Sequence, residues 1–236
     1  MFNTIVFIPL TNVLVSLTGL LWGNIGLAVI FTTILIKLLL LPFSYAQTKS
    51  QIAIKKIQPH IDEIKKNTPD KTEQTKKIME LYKEHNTNPL SGCLPLIIQL
   101  PIIIALYQVF LQGVSVDPSI LYSFVHAPEQ ISHMFLGVDM TSKSIIIALI
   151  AGITQFIQLK LSPSMQDSAE KTENADMSTE MMANMQKTMK FSLPVMITVF
   201  AAVVPAAVAL YWVVTNLFQI AQEWRINKKI HTPRTA

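Results

Sequence analysis

Lys37 is the residue best placed to do chemistry. It is the first charged side chain in the sequence, and it sits in an apolar run from Ile25 to Leu41. An ammonium near mid-membrane costs about 3 kcal/mol on insertion scales, which a chain tolerates when the charge meets other helices or water. Two readings are open. Lys37 lies about 6 Å from the midplane of its run at 1.5 Å per residue, so its side chain can snorkel to the headgroups. Alternatively it lines a hydrophilic groove. The groove gains support from amides in other apolar runs: Gln99, the pair Gln155 and Gln158, and Asn216, Gln219 and Gln222. Residues three apart share a helix face. A single amide is often interhelical glue; the groove reading rests on several converging at one depth.

The chemistry of an enzyme finds no comparable set. No Asp or Glu falls inside an apolar run, Glu223 standing at the end of the last one. His60, His85, His126, His133 and His231 all fall in connecting segments or the tail. That leaves no Ser-His nucleophile or metal cluster within a span, and no glycine-rich phosphate loop. No cofactor and no metal is expected. Cys93 is the single cysteine, so no internal disulfide forms.

The elements that must position Lys37 are membrane helices. Half of the 236 residues are hydrophobic and 14% are charged, with a mean hydropathy of +0.40, against about one-quarter charged in soluble domains. Spans are expected at 25–43, 93–111, 144–161, 189–204 and 207–225, with Pro205 dividing the last apolar stretch. Residues 1–22 are broken by Pro9 and two Asn, and read as an interfacial helix or an extra span. The 43–93 connection holds nine lysines, whereas 113–142 holds no Lys or Arg. The positive-inside rule then puts the first connection, the Met-rich loop 162–188 and the basic tail 225–236 in the cytoplasm.

The first cytoplasmic connection, 47–86, reads as an antiparallel helical hairpin. Ile57 and Ile61 on one arm and Ile78 and Leu81 on the other fall at helical spacing. Met177, Met181, Met185 and Met189 form a further stripe, either packing or a soft contact for varied apolar segments.

Three stretches resemble one family. Asn24 to Pro42, carrying Lys37, is similar to the first core span of the YidC insertases, bacterial relatives of the Oxa and Albino proteins. Asn88 to Ile102 resembles that family's next span, and Leu210 to Gln219 its last. The resemblance implies an all-α, five-span insertase core over 23–236, of the short bacterial form, in the plasma (inner) membrane. It also implies a cationic groove open to cytoplasm and lipid, to which Lys37, Thr33, Tyr211 and Trp212 carry over. Two departures stand out: the family position of Lys37 is usually Arg, a fixed fork rather than a point charge, and Trp212 replaces an aromatic that often bears a hydroxyl. The implied activity is insertion and chaperoning of nascent membrane proteins. Ribosome and Sec translocon are further candidate partners, besides lipids, and no sequence-specific nucleic acid is. The hairpin would receive the substrate. A small-anion or ion transporter using Lys37 is the alternative; the absence of an inverted repeat counts against it.

Overall fold

The computed structural model describes residues 1–87, 94–111, 118–128, 130–162 and 177–231, with the side chains of 94–96, 177–187, 189 and 227–231 left out. Cys93, the four-methionine stripe and the basic side chains beyond Ile226 therefore lie outside the described residues.

A π-helical turn (Asn3–Phe7) leads into α1 (Ile8–Leu20), followed by α2 (Ile25–Leu39), α3 (Leu41–Asn67), α4 (Lys71–Glu84) and α5 (Leu94–Leu111). A two-residue β-hairpin, β1 (Met134–Phe135) and β2 (Val138–Asp139), precedes α6 (Ile145–Leu161), α7 (Met177–Val203) and α8 (Ala206–His231). Polar caps start several helices. Asn24 accepts from Leu27 N–H, Asp70 from Thr72 N–H and Ser144 from Ile147 N–H, each satisfying a donor the first turn leaves open.

Prolines set the breaks. Pro205 separates α7 from α8 as expected. Pro42 does more than the sequence suggested. The helix expected over 25–43 stops at Leu39, and α3 starts at Leu41, after one intervening residue, at an angle of 63° to α2. Pro42 has no N–H to offer the preceding turn, and its ring crowds the carbonyl four residues back. The first arm of the hairpin thus begins at Leu41 rather than near residue 47. The second arm is 14 residues, shorter than the first. α7 runs through the expected loop–span boundary near 189 as one 27-residue helix.

Hydrogen bonds fix which ends lie together. Ser132 N donates to Gly23 O and Ile25 N to Ser132 O, at the start of α2. Ala206 N donates to Ser142 O and Ala207 N to Met140 O, at the start of α8. The amide of Asn12 in α1 donates to Ile120 O and accepts from Tyr122 N. The starts of α2, α6 and α8 therefore share one end of the bundle with the 118–142 segment. Lys37 lies at the other end of α2.

The core is mostly aliphatic, with Leu14, Ile25, Leu106, Met140 and Val208 buried beside the rings of Phe110 and Tyr211. Small residues let backbones approach, as in membrane bundles: Ala148, Ala151, Ala206, Ala207 and Ala209 are fully buried. A Cβ added at Gly152 would run into Thr198 of α7. The outward faces are apolar too. Ile145, Ile146, Leu149 and Ile153 of α6, and Phe191, Val195 and Val199 of α7, are exposed. Among the described residues, Asn3–Leu20 is long and apolar enough to cross a membrane, α2 and α3 together pass as a bent pair, and Ile97–Leu111, α6 and Lys190–Val203 are shorter apolar helices.

Candidate functional site: a lysine pocket beside a buried amide network

α2 carries Lys37 in its last turn, where a cation also complements the carbonyl end of the helix. A small pocket of about 40 Å³ brings Lys37 together with Gln99 of α5, Ser44 and Gln47 of α3, and Gln219 and Gln222 of α8. Leu40, Phe43 and Ile98 complete its wall. Among the described residues, no acidic side chain is paired with Lys37. Two hydrogen bonds frame the space. Ser44 Oγ donates to Gln222 Oε1 (2.7 Å), tying the base of α3 to α8. Gln99 Nε2 donates to the Tyr211 hydroxyl (2.7 Å), whose ring is 1% exposed.

The structure separates the other amides from this pocket. Trp212 Nε1 donates to Gln155 Oε1 (3.1 Å), Gln155 Nε2 to Gln158 Oε1 (3.2 Å), and Gln158 Nε2 to Glu223 Oε1 (3.0 Å). Asn216 Nδ2 bonds Thr154 Oγ1 and Ala151 O on the same α6–α8 seam. Gln155, Gln158 and Asn216 are buried. Helical spacing groups residues on one face of their own helix, but does not say which neighbour that face meets. Of the residues expected to converge, Lys37, Gln99, Gln219 and Gln222 line the pocket; Gln155, Gln158, Trp212 and Asn216 staple α6 to α8. Thr33 is buried, and its hydroxyl donates back to Val29 O (2.6 Å). Tyr211 touches the pocket only through Gln99.

The sequence gives no site expectation for Ser44 or Gln47, and places Glu223 only at the end of the last apolar run. Ser44 and Gln47 are three apart, just past Pro42, and that spacing was the available signal. Glu223 stood at a helix end, yet it is 7% exposed and held by Gln158. In the hairpin, Ile57 and Ile61 are buried, and Ile78 and Leu81 half-buried. Gln74 Nε2 donates to Lys65 O and Lys77 Nζ to Thr68 Oγ1, binding α4 to the end of α3. The four aliphatic residues are thus covered to differing degrees rather than presented as an open surface.

A helical bundle with apolar outer faces and a half-buried cation facing side-chain amides defines a membrane protein with a polar recess. The model of the family described as "60Kd inner membrane protein" matches residues 17–233. The chain belongs to this family, that of YidC. It is 34% identical over 233 residues to the membrane protein insertase YidC of Oceanobacillus iheyensis, covering 96% of this chain and 83% of that one. It is 34% identical over 207 residues to the YidC of Francisella tularensis subsp. novicida, covering 87% of this chain but 33% of that longer protein. A crystal structure of active YidC insertase with its first transmembrane domain resolved aligns with a TM-score of 0.60 at 27% identity, over 93% of this chain and 45% of that one.

Proposed function

We propose that this chain is a membrane protein insertase that draws hydrophilic flanks of nascent membrane proteins into the Lys37 pocket and releases their apolar helices sideways into lipid. The observation that carries this reading is the pocket itself: one cation without an acidic partner among the described residues, facing side-chain amides and a hydroxyl, in a bundle whose outer faces are apolar. Moving a polar flank across lipid costs its desolvation, and a recess reaching into the bilayer shortens the dry path. The cation attracts acidic flanks. At about 6 Å and an effective dielectric of about 20 the attraction is about 3 kcal/mol, enough for roughly a hundredfold change in rate.

In this reading α2, α5, α6, the apolar part of α7, and α8 cross the membrane. The 118–142 segment lies outside, and the α3–α4 hairpin lies in the cytoplasm, as the lysine distribution requires. α1 lies along the outer side, because Asn12, in its middle, bonds the 118–122 segment. The short helices support local thinning: α2 has 15 residues, about 22 Å at 1.5 Å each, against a hydrocarbon core of about 30 Å. The Trp212–Gln155–Gln158–Glu223 network holds the seam behind the pocket rigid. The hairpin guides the substrate toward the recess, with its base fixed by Ser44 and Gln222.

The test is insertion of single-span clients with acidic N-terminal tails into vesicles holding the purified chain. Lys37→Arg retains insertion; Lys37→Ala slows it and Lys37→Glu slows it further, by up to about a hundredfold. Full activity of Lys37→Glu would end the electrostatic part of the proposal.

A further inference from the structure

Two of the most exposed apolar side chains sit on backbone that apolar residues avoid. Trp22 (φ +54°) is 89% exposed, and Leu136 (φ +49°) is 88% exposed. Leu136 and Gly137 (φ +79°) are the two central residues of the β1–β2 turn. Positive φ at both positions is the mirror-type hairpin turn, where Asn or Asp is the usual first residue. A leucine there is strained and gains no packing from the protein. Trp22 repeats the pattern in the turn between α1 and α2.

The two tips belong to one rigid knot. Ser132 N donates to Gly23 O, and Asn24 Nδ2 donates to Met134 O (3.3 Å). A Cβ at Gly26 would strike the Phe135 ring, so the hairpin is seated directly on the first turn of α2. From β2 the chain enters α6, whose first residues Ile145 and Ile146 are also exposed. Exposed Ser142 and Lys143 separate the hairpin from this exposed apolar start of α6. The 118–142 segment contains no Lys or Arg, and the exposed cation beside the hairpin is Lys143, just before α6.

We infer that Trp22 and Leu136 are a two-pronged anchor that inserts into the interfacial layer of the outer leaflet and fixes the height of α2 in the bilayer. Its occupant is lipid, at the boundary of headgroup and acyl chain, where tryptophan is enriched and apolar tips gain most from leaving water. The knot lies at the start of α2 and Lys37 in its last turn, so the anchor sets the depth at which the cation stands. The inference rests on the bundle's crossing the membrane with the 118–142 segment outside. It does not depend on insertase activity.

The test uses the full chain with Trp212→Phe and Trp224→Phe, leaving Trp22 as the sole tryptophan, in phosphatidylcholine vesicles. Lipids brominated near the top of the acyl chain are expected to quench Trp22 at least twofold, with iodide in the buffer having little effect. Leu136→Asn, which suits the turn backbone and preserves the fold, is expected to raise iodide quenching of Trp22 at least twofold. As a second probe, an environment-sensitive fluorophore on Leu136→Cys in a Cys93→Ser chain should shift to the blue on reconstitution. Iodide quenching without bromolipid quenching places Trp22 in water and overturns the inference. Protection from both quenchers means that protein covers it, which also overturns it. A Leu136→Asn chain with unchanged quenching removes the hairpin from the anchor. Because lipid contact is read directly, an inactive Lys37 series leaves this result standing.

Discussion

Replacing Gly26 by Ala should change the sign of its effect according to what faces it. In an ordinary helix Gly→Ala stabilises by up to about 1 kcal/mol, because glycine loses more backbone entropy on folding. Here the added methyl overlaps three carbons of Phe135 at once. Relieving that overlap means moving an aromatic ring that the β-hairpin holds, and overpacking of this kind costs about 1–3 kcal/mol. Gly26→Ala alone therefore destabilises by up to about 2 kcal/mol, the overpacking cost less the entropic gain. In a Phe135→Ala background the overlap vanishes, and the same change stabilises by up to about 1 kcal/mol. The coupling between the two sites is then about 1–3 kcal/mol, the range found for residues in contact. The assay is a double-mutant cycle by reversible unfolding of the purified chain in mixed micelles, with Trp22 fluorescence reporting on the hairpin knot. If Gly26→Ala has the same effect in both backgrounds within about 0.5 kcal/mol, the size of additivity error, the ring does not rest on α2 and the knot is wrongly drawn.

Tyr211→Phe removes the hydroxyl that accepts from Gln99. Gln99 faces the pocket, so water replaces the lost partner and stability falls by less than about 1 kcal/mol; a thermal-unfolding loss well above this would mean a dry pocket. Gln158→Leu takes an amide donor from buried Glu223 and should cost about 1–3 kcal/mol, with Gln158→Leu/Glu223→Leu together recovering much of it; equal losses in single and double variants would refute the pairing. Asp139 accepts from the Thr141 N–H and hydroxyl and from the Ser142 hydroxyl. The side-chain bond from Thr141 is the largest of the causes that hold its carboxyl below the usual value of 3.8. A carboxyl depressed in the folded state contributes stability above its unfolded value and loses it as pH falls through the folded one. The protection factor of the Thr141 amide, corrected for intrinsic exchange, should thus fall only below about pH 4 and stay constant across that range in Asp139→Asn; a carboxyl titrating at or above 3.8 by NMR refutes the cap.

How far the sequence could be read depended on the range of each signal. Caps and breaks are local, so Asn24, Ser144 and Pro205 marked helix ends directly. Pro42 lies inside the expected 25–43 span, and a proline there does not by its presence distinguish the end of a span from a one-residue joint between two helices. The β-hairpin gave no sign because Leu136-Gly137 lacks the Asn-Gly or Asp-Gly pattern that announces such turns. The amides were seen as a set, and each does face a neighbouring helix. Their division between the Lys37 pocket and the α6–α8 seam depends on how α8 is rotated, which spacing along a single helix does not encode. Lys37 stood out because a lone charge in an apolar run is costly wherever it points. Ser44 and Gln47 did not, because polar residues beyond a span are ordinary.

The single-residue joint at Leu40 makes α3 a lever. Its 27 residues, with Pro59 inside the helix, reach at most about 40 Å at 1.5 Å each, so a rotation of about 10° at the joint sweeps the far tip through at most about 7 Å. Ser44 sits only about 6 Å from the fulcrum by the same rise, and its bond to Gln222 is the latch on the short arm. A weak tug at the hairpin tip is multiplied about sevenfold at that latch. Whatever takes hold of the tip has the leverage to unfasten α3 from α8 and widen the recess beside Lys37.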